Sequence, residues 1–131
     1  MYFCLVDGVL EKSDTHIVTI KHVTSAEEYL QEHFPTFPVL PGVMMLEAMV
    51  QAGRELLGTD GRWVLCGVRA LRYGNFVKPG ATLRVRVELI RRNDDGTAEL
   101  KGEATIIDPK DPDSTSVAVS GKMKMRPPLP D

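Results

Sequence analysis

Cysteine is scarce. The 131 residues hold only Cys4 and Cys66, with neither the even pairing of a disulfide scaffold nor the close spacing of a metal site, so both are expected as reduced thiols in the core. An excess of one charge is missing too. Sixteen basic residues stand against 18 acidic ones, a formal net charge of −2, which removes the electrostatic case for general nucleic-acid binding. Long hydrophobic runs are absent. The longest, Val39 to Ala52, is interrupted by Glu47 and Gln51 and is too short to span a bilayer. The amino-terminal MYFCLVDGVLEKSD has no basic n-region, long apolar core or small-residue cleavage site, so a cytoplasmic protein without a membrane partner is expected. There is no internal repeat and no low-complexity segment.

What is present is ordinary for a globular chain, with 43% apolar and 26% charged residues. The length suits a single domain, residues 1–131, around one core. LVDGVLEK and HIVTIKHV read as two strands about a turn at Lys12–Asp14, and SAEEYLQEH as a short helix capped by Ser25. A loop with Pro35, Pro38 and Pro41 follows. From Gly42 to about Leu57 the composition shifts to Met, Leu, Ala and Glu, which predicts a helix stopped by Gly58. Between 43 and 52 it is apolar nearly all round, so its first three turns are expected to be enclosed, with Arg54 and Glu55 marking a wet end.

The second half reads as strands. In TLRVRVELI, Leu83, Val85, Val87 and Leu89 alternate with polar residues, the period of a strand with one buried face. WVLCGVRALRYGNFV precedes it across Pro79-Gly80. TAELKGEATIID follows a hairpin signal at Asn93–Gly96, and SVAVSGKMKM follows the polar loop DPKDPDST. Four successive strands predict an antiparallel meander, and the tail RPPLPD is expected to fray. One enclosed helix and a long antiparallel sheet make an α+β layout, a curved antiparallel β-sheet wrapped around one long central helix, which is the shape of the hot-dog fold.

Within that helix Glu47 stands out, because an ionised carboxylate is costly to bury without a partner. Gln51 lies one turn on, on the same face. The pair marks either a small ligand-facing seam or a solvent-facing edge of a partly covered helix. Upstream, three prolines restrict the loop around His33 and reduce the cost of holding its imidazole in place. A restrained histidine and a half-buried carboxylate form a candidate acid–base pair. Gly42 opens the helix after Pro41, where the first N–H groups lack intrahelical acceptors and the dipole is positive. Those donors can stabilise an oxygen gaining negative charge; the plainer reading is that Pro41-Gly42 only punctuates the helix start.

The pattern His33-Phe34-Pro35, Pro38, Pro41-Gly42-Val43, Glu47-Ala48-Met49 and Gln51 resembles the active-site signature of the 3-hydroxyacyl-acyl-carrier-protein dehydratases of fatty-acid synthesis, the FabZ type. LVDGVLE and GVRALRYGNFVKPGATLRVRVEL are similar to that family's flanking strands. The resemblance implies a homodimer, in some relatives a trimer of dimers, with each site at the interface, the histidine from one chain and the acid from the other. It implies that His33 removes the α-proton of a 3-hydroxyacyl thioester, carried on an acyl carrier protein or on coenzyme A, and that Glu47 protonates the leaving hydroxyl. The N–H groups of Gly42 and Val43 would bind the thioester carbonyl. Phe34, Leu40, Met44, Met45 and Gln51 would line the substrate, although the methionines serve equally as core. No metal or cofactor is implied.

Two departures from the family pattern stand out. Thr36 replaces a customary glycine, and Gly74-Asn75 follows Arg72-Tyr73 where relatives carry basic residues toward the acidic carrier protein. Arg72 and Lys78 remain as candidate carrier contacts, with Arg69, Arg84 and Arg86 as a basic rim or simply a solvated strand face. His16 and His22 are assigned no role. The rival readings are an acyl-thioester hydrolase on the same fold and a non-catalytic acyl-binding subunit.

Overall fold

The structure is a computed structural model that describes residues 4–23, 42–58, 62–75, 77–78 and 80–128, with backbone alone at 111–115. The expected Ser25 helix, the proline loop, His33, Phe34, Thr36 and Leu40 lie outside the described residues.

Local chemistry sets the hairpins. Between β1 (Gly8–Lys12) and β2 (His16–His22), Ser13 Oγ accepts the N–H groups of Thr15 and His16, and the Ser13 N–H donates to the His16 carbonyl. This satisfies turn groups that water would otherwise have to serve. Gly96 adopts a φ of 90°, a conformation open to glycine, and so closes the turn from β4 (Thr82–Arg92) to β5 (Ala98–Asp108). The helix α1 runs Gly42–Leu57 and ends where Gly58, at φ 78°, donates to the Arg54 carbonyl.

The strands form one antiparallel sheet of six, in the order β1-β2-β4-β5-β6-β3, with β3 at Val64–Tyr73 and β6 at Asp111–Arg126. The expected four-strand meander is therefore corrected. Strands β4, β5 and β6 follow in turn, but β3 lies on the far edge against β6. Both sides of β4 are already taken, by β2 and β5. The segment before Thr82 carries the chain across instead of turning a hairpin: Gly80 N–H donates to the Val23 carbonyl, Val23 N–H to the Ala81 carbonyl, and Val77 is fully buried. The polar DPKDPDST segment is corrected as well. Its turn is confined to Pro109 and Lys110, and the ladder resumes at Asp108↔Asp111.

The inner face of the sheet carries Ile17, Leu83, Val85, Val87, Leu100, Met123 and Met125, all essentially without exposure. The helix packs against β2, β4, β5 and β6. Burying a side chain of this size is worth roughly 1.5–3 kcal/mol, so this layer dominates the fold's stability. Glycines let helix and sheet approach closely. A Cβ at Gly53 would sit 3.1 Å from Leu100 Cδ1, and one at Gly102 would sit 2.7 Å from Met49 Sδ.

Enclosure of the helix is narrower than its composition suggests. Residues Ala48 to Gly53 are buried, but Val43 in the first turn is 65% exposed. Within that first turn the exposure is confined to Val43, for Met44 is partly buried and Met45 is in the core. The two cysteines are free but exposed, not in the core: Cys4 precedes β1, and Cys66 lies on the edge strand β3.

Candidate active site

Three polar residues line one face of α1. At 3.6 residues per turn, positions 47, 51 and 54 fall nearly above one another. Gln51 is only 6% exposed; its Oε1 accepts the N–H of Leu5 at 2.7 Å, and its Nε2 donates to Glu47 Oε1 at 3.3 Å. Gln51 thus ties the segment before β1 to the helix and satisfies buried polar groups on both. Arg54 Nη1 lies 3.5 Å from the same Glu47 oxygen, while its Nε donates to the Trp63 carbonyl at 2.8 Å. The Glu47 side chain is 39% exposed. Glu47 and Gln51 meet on one face of the helix, Glu47 partly exposed and Gln51 buried, and Arg54 joins them instead of standing at a wet end. Its i,i+7 spacing from Glu47 was the available signal.

At the start of the helix, Gly42 faces an aromatic ring. A Cβ there would stand 3.0 Å from Tyr73 Cε1 and 3.2 Å from Cζ, so the absent side chain is what lets Tyr73, itself half exposed, lie against the first turn. Helix geometry leaves the leading N–H groups without intrahelical acceptors at that same place. Tyr73 is a wall of the candidate site that pattern reading passed over. Met45 is 3% exposed and belongs to the core, whereas Met44 is partly buried beside it.

The Gly74-Asn75 departure has a local cause. Gly74 N–H donates to the Ala118 carbonyl at 2.8 Å and Asn75 N–H to the Val117 carbonyl at 3.0 Å, so the β3–β6 pairing continues past Tyr73. A side chain at 74 would overlap the Val117 carbonyl oxygen. Arg72 and Lys78 are exposed. Of the suggested rim, Arg69 pairs with Glu99, Arg84 with Glu11 and Arg86 with Glu88. His16 Nδ1 lies 2.8 Å from Ser13 Oγ and His22 Nδ1 lies 2.9 Å from Thr82 Oγ1, local contacts at the ends of β2.

Among the described residues no cluster of metal-ligating side chains occurs, and no helix is long and apolar enough to cross a membrane. A cavity of about 510 Å3 opens between Gly67, Arg69, Arg91, Glu99, Lys122 and Lys124. It adjoins neither Glu47 nor Gly42.

Comparison with known proteins identifies the fold and the family. Residues 9–106 match the family model described as ApeI-like, ApeI dehydratase. The 3-hydroxyacyl-[acyl-carrier-protein] dehydratase FabZ of Clostridium perfringens is 39% identical over 94 residues, covering 68% of this chain and 68% of the relative. Among solved structures, the dehydratase heterocomplex ApeI:P from Xenorhabdus doucetiae superposes with a TM-score of 0.73 at 23% identity, covering 96% of this chain and 84% of that one. A hypothetical thioesterase with coenzyme A from Streptococcus pneumoniae gives a TM-score of 0.64 at 15% identity, over 90% of this chain and 82% of the other. The two structural likenesses establish the hot-dog fold, and the sequence matches go further: the chain belongs to the ApeI-like dehydratase family and is a homologue of the FabZ dehydratases.

Proposed function

We propose that this protein dehydrates 3-hydroxyacyl thioesters, carried on an acyl carrier protein, to trans-2-enoyl thioesters. The observation that carries the reading is the placement of Glu47, half-buried and tethered through Oε1 on the helix that Gly42 opens. A rise of 1.5 Å per residue sets the two about 7.5 Å apart along the axis, which leaves room between them for the carbonyl and β-hydroxyl of a 3-hydroxyacyl thioester of any chain length.

In this mechanism His33 takes the α-proton, and the electron pair moves toward the thioester carbonyl, whose growing negative charge the Gly42 and Val43 N–H groups stabilise. The pair then returns to form the α,β double bond as the C–O bond breaks. Glu47 gives its proton to the departing hydroxyl, which leaves as water. Proton transfer through solvent from His33 to Glu47 restores the resting state.

The proposed assembly is a homodimer, supported by the free outer edge of β3 among the described residues and by exposed Val43, Val64 and Tyr73. An edge strand with apolar neighbours is a ready template for pairing. Arg72 and Lys78 are the proposed carrier contacts, and a cytoplasmic location belongs to the same reading.

The test is to incubate purified protein with a short 3-hydroxyacyl thioester and follow the conjugated enoyl absorbance. Both His33→Ala and Glu47→Gln are expected to lower kcat by about 100-fold or more. Free thiol release without enoyl formation would establish the hydrolase instead, and variants as active as the parent would dismiss the acid–base pair.

A further inference from the structure

Glu47 is the only carboxylate on the buried side of the helix, and both of its contacts among the described residues converge on one oxygen. Gln51 Nε2 and Arg54 Nη1 lie 3.3 and 3.5 Å from Oε1, and neither holds Oε2. A carboxyl group that must deliver a proton to a leaving hydroxyl needs such asymmetry, because a freely rotating carboxyl presents its acid oxygen only part of the time.

Arg54 is suited to impose it. The guanidinium is planar and forked, so bonding one nitrogen fixes the direction of the others. Here Nε is bound to the Trp63 carbonyl at 2.8 Å, and Trp63 is itself 7% exposed. The anchor is thus a backbone atom of a buried residue immediately before β3, not a mobile side chain. The Arg54 side chain is 28% exposed, less than that of Glu47. Lysine could reach either the carbonyl or the carboxylate but has no rigid fork to hold both.

We propose that Arg54 is a positioning residue for the dehydration, holding Glu47 through Oε1 from the Trp63 carbonyl so that Oε2 meets the substrate hydroxyl. This inference rests on the dehydratase reading above and adds a residue to its machinery.

The experiment measures kcat and KM on a short 3-hydroxyacyl thioester for the parent, Arg54→Met, Arg54→Lys, Glu47→Asp and the double variant Glu47→Asp/Arg54→Met, with thermal unfolding of each. Arg54→Met is expected to lower kcat by about 10- to 100-fold with KM within about twofold, as misplacement of a catalytic group does. Arg54→Lys, which keeps the charge and most of the packing stem, should recover part of that loss. In the Glu47→Asp background, where the carboxyl is already withdrawn by one methylene, Arg54→Met should cost less than about threefold further, because residues that act through one another are not additive. A merely structural Arg54 would lower kcat equally in both backgrounds, and that result overturns the proposal, as does an unchanged kcat in Arg54→Met. If Arg54→Met does not fold, Arg54→Lys with kcat equal to the parent overturns it in the same way. A parent protein that forms no enoyl product defeats the dehydratase reading and this inference with it, whereas an active parent with an indifferent Arg54 defeats the inference alone.

Discussion

Gly74 shows how much one side chain can decide. The chain has glycine where the family resemblance implies a basic residue, and the backbone of β6 runs where that side chain would stand: a Cβ would overlap the Val117 carbonyl oxygen. The overlap is with main chain, which cannot swing aside. Gly74→Arg, the substitution that would restore the familiar charge, is therefore expected to destabilise the fold by about 1–3 kcal/mol. Urea unfolding would read this as a lower midpoint with an unchanged slope. A Gly74→Arg protein as stable as the parent would show that the β3–β6 pairing ends before this residue. Legibility at this scale was uneven for a physical reason. Glu47 and Gln51 were visible because a polar residue in an apolar helix violates a strong expectation. Arg54 was passed over because arginine near a helix end violates none; its i,i+7 spacing from Glu47 was a weak signal, and the Trp63 carbonyl, nine residues away, fixes its place beside Glu47. Tyr73 was hidden for the same reason, since its place against Gly42 is set by how β3 and α1 pack.

At the scale of elements, strands β3, β4 and β5 are joined on the outer face by one carboxylate. Glu99 accepts from Arg91 of β4 at 2.5 Å and from Arg69 of β3 at 3.1 Å. The hydrogen bond from Arg91 holds the Glu99 carboxyl below the usual glutamate range, with Asn93 and the charge of Arg69 acting in the same direction. Because the folded-state pKa is depressed, the stabilisation is complete above the unfolded-state value and disappears as pH falls through the folded-state value. Glu99→Gln should therefore have a lower Tm than the parent at pH 7, with the gap closing as the buffer is taken below the ordinary carboxylate range. A gap independent of pH would mean that Glu99 acts through packing alone. High salt should also narrow it, since both arginines are largely exposed. Element identity was legible wherever one face is buried: the alternation in TLRVRVELI and the Gly58 stop both correspond to observed boundaries. Strand neighbours were not, because a period of two reveals which side chains face inward and says nothing about which strand lies alongside. The irregularity in β3, where Ala70 takes a φ of 54° and the register shifts between Arg69 and Arg72, left no trace in composition either.

For the whole molecule the question is whether one chain suffices. The described residues of a single chain leave the first turn of α1 uncovered at Val43, the ring of Tyr73 half exposed and the outer edge of β3 unpaired, and Tyr73, at the end of that edge, lies against the first turn. A second copy joined along β3 would cover them and could bring its own histidine to the Glu47 of the first. Mixing two inactive proteins tests this directly. His33→Ala retains Glu47, and Glu47→Gln retains His33. If each site takes its histidine from one chain and its acid from the other, a mixed dimer contains one wholly intact site and one doubly defective site. Random reassortment makes about half of the dimers mixed, so activity should rise from near zero to about a quarter of the parent value. The rise should follow the rate of subunit exchange, measured in parallel with differently tagged chains. If both groups of a site come from the same chain, every site in the mixture lacks one of them. Subunits that demonstrably exchange and stay inactive would then refute the shared site while leaving the dimer itself intact.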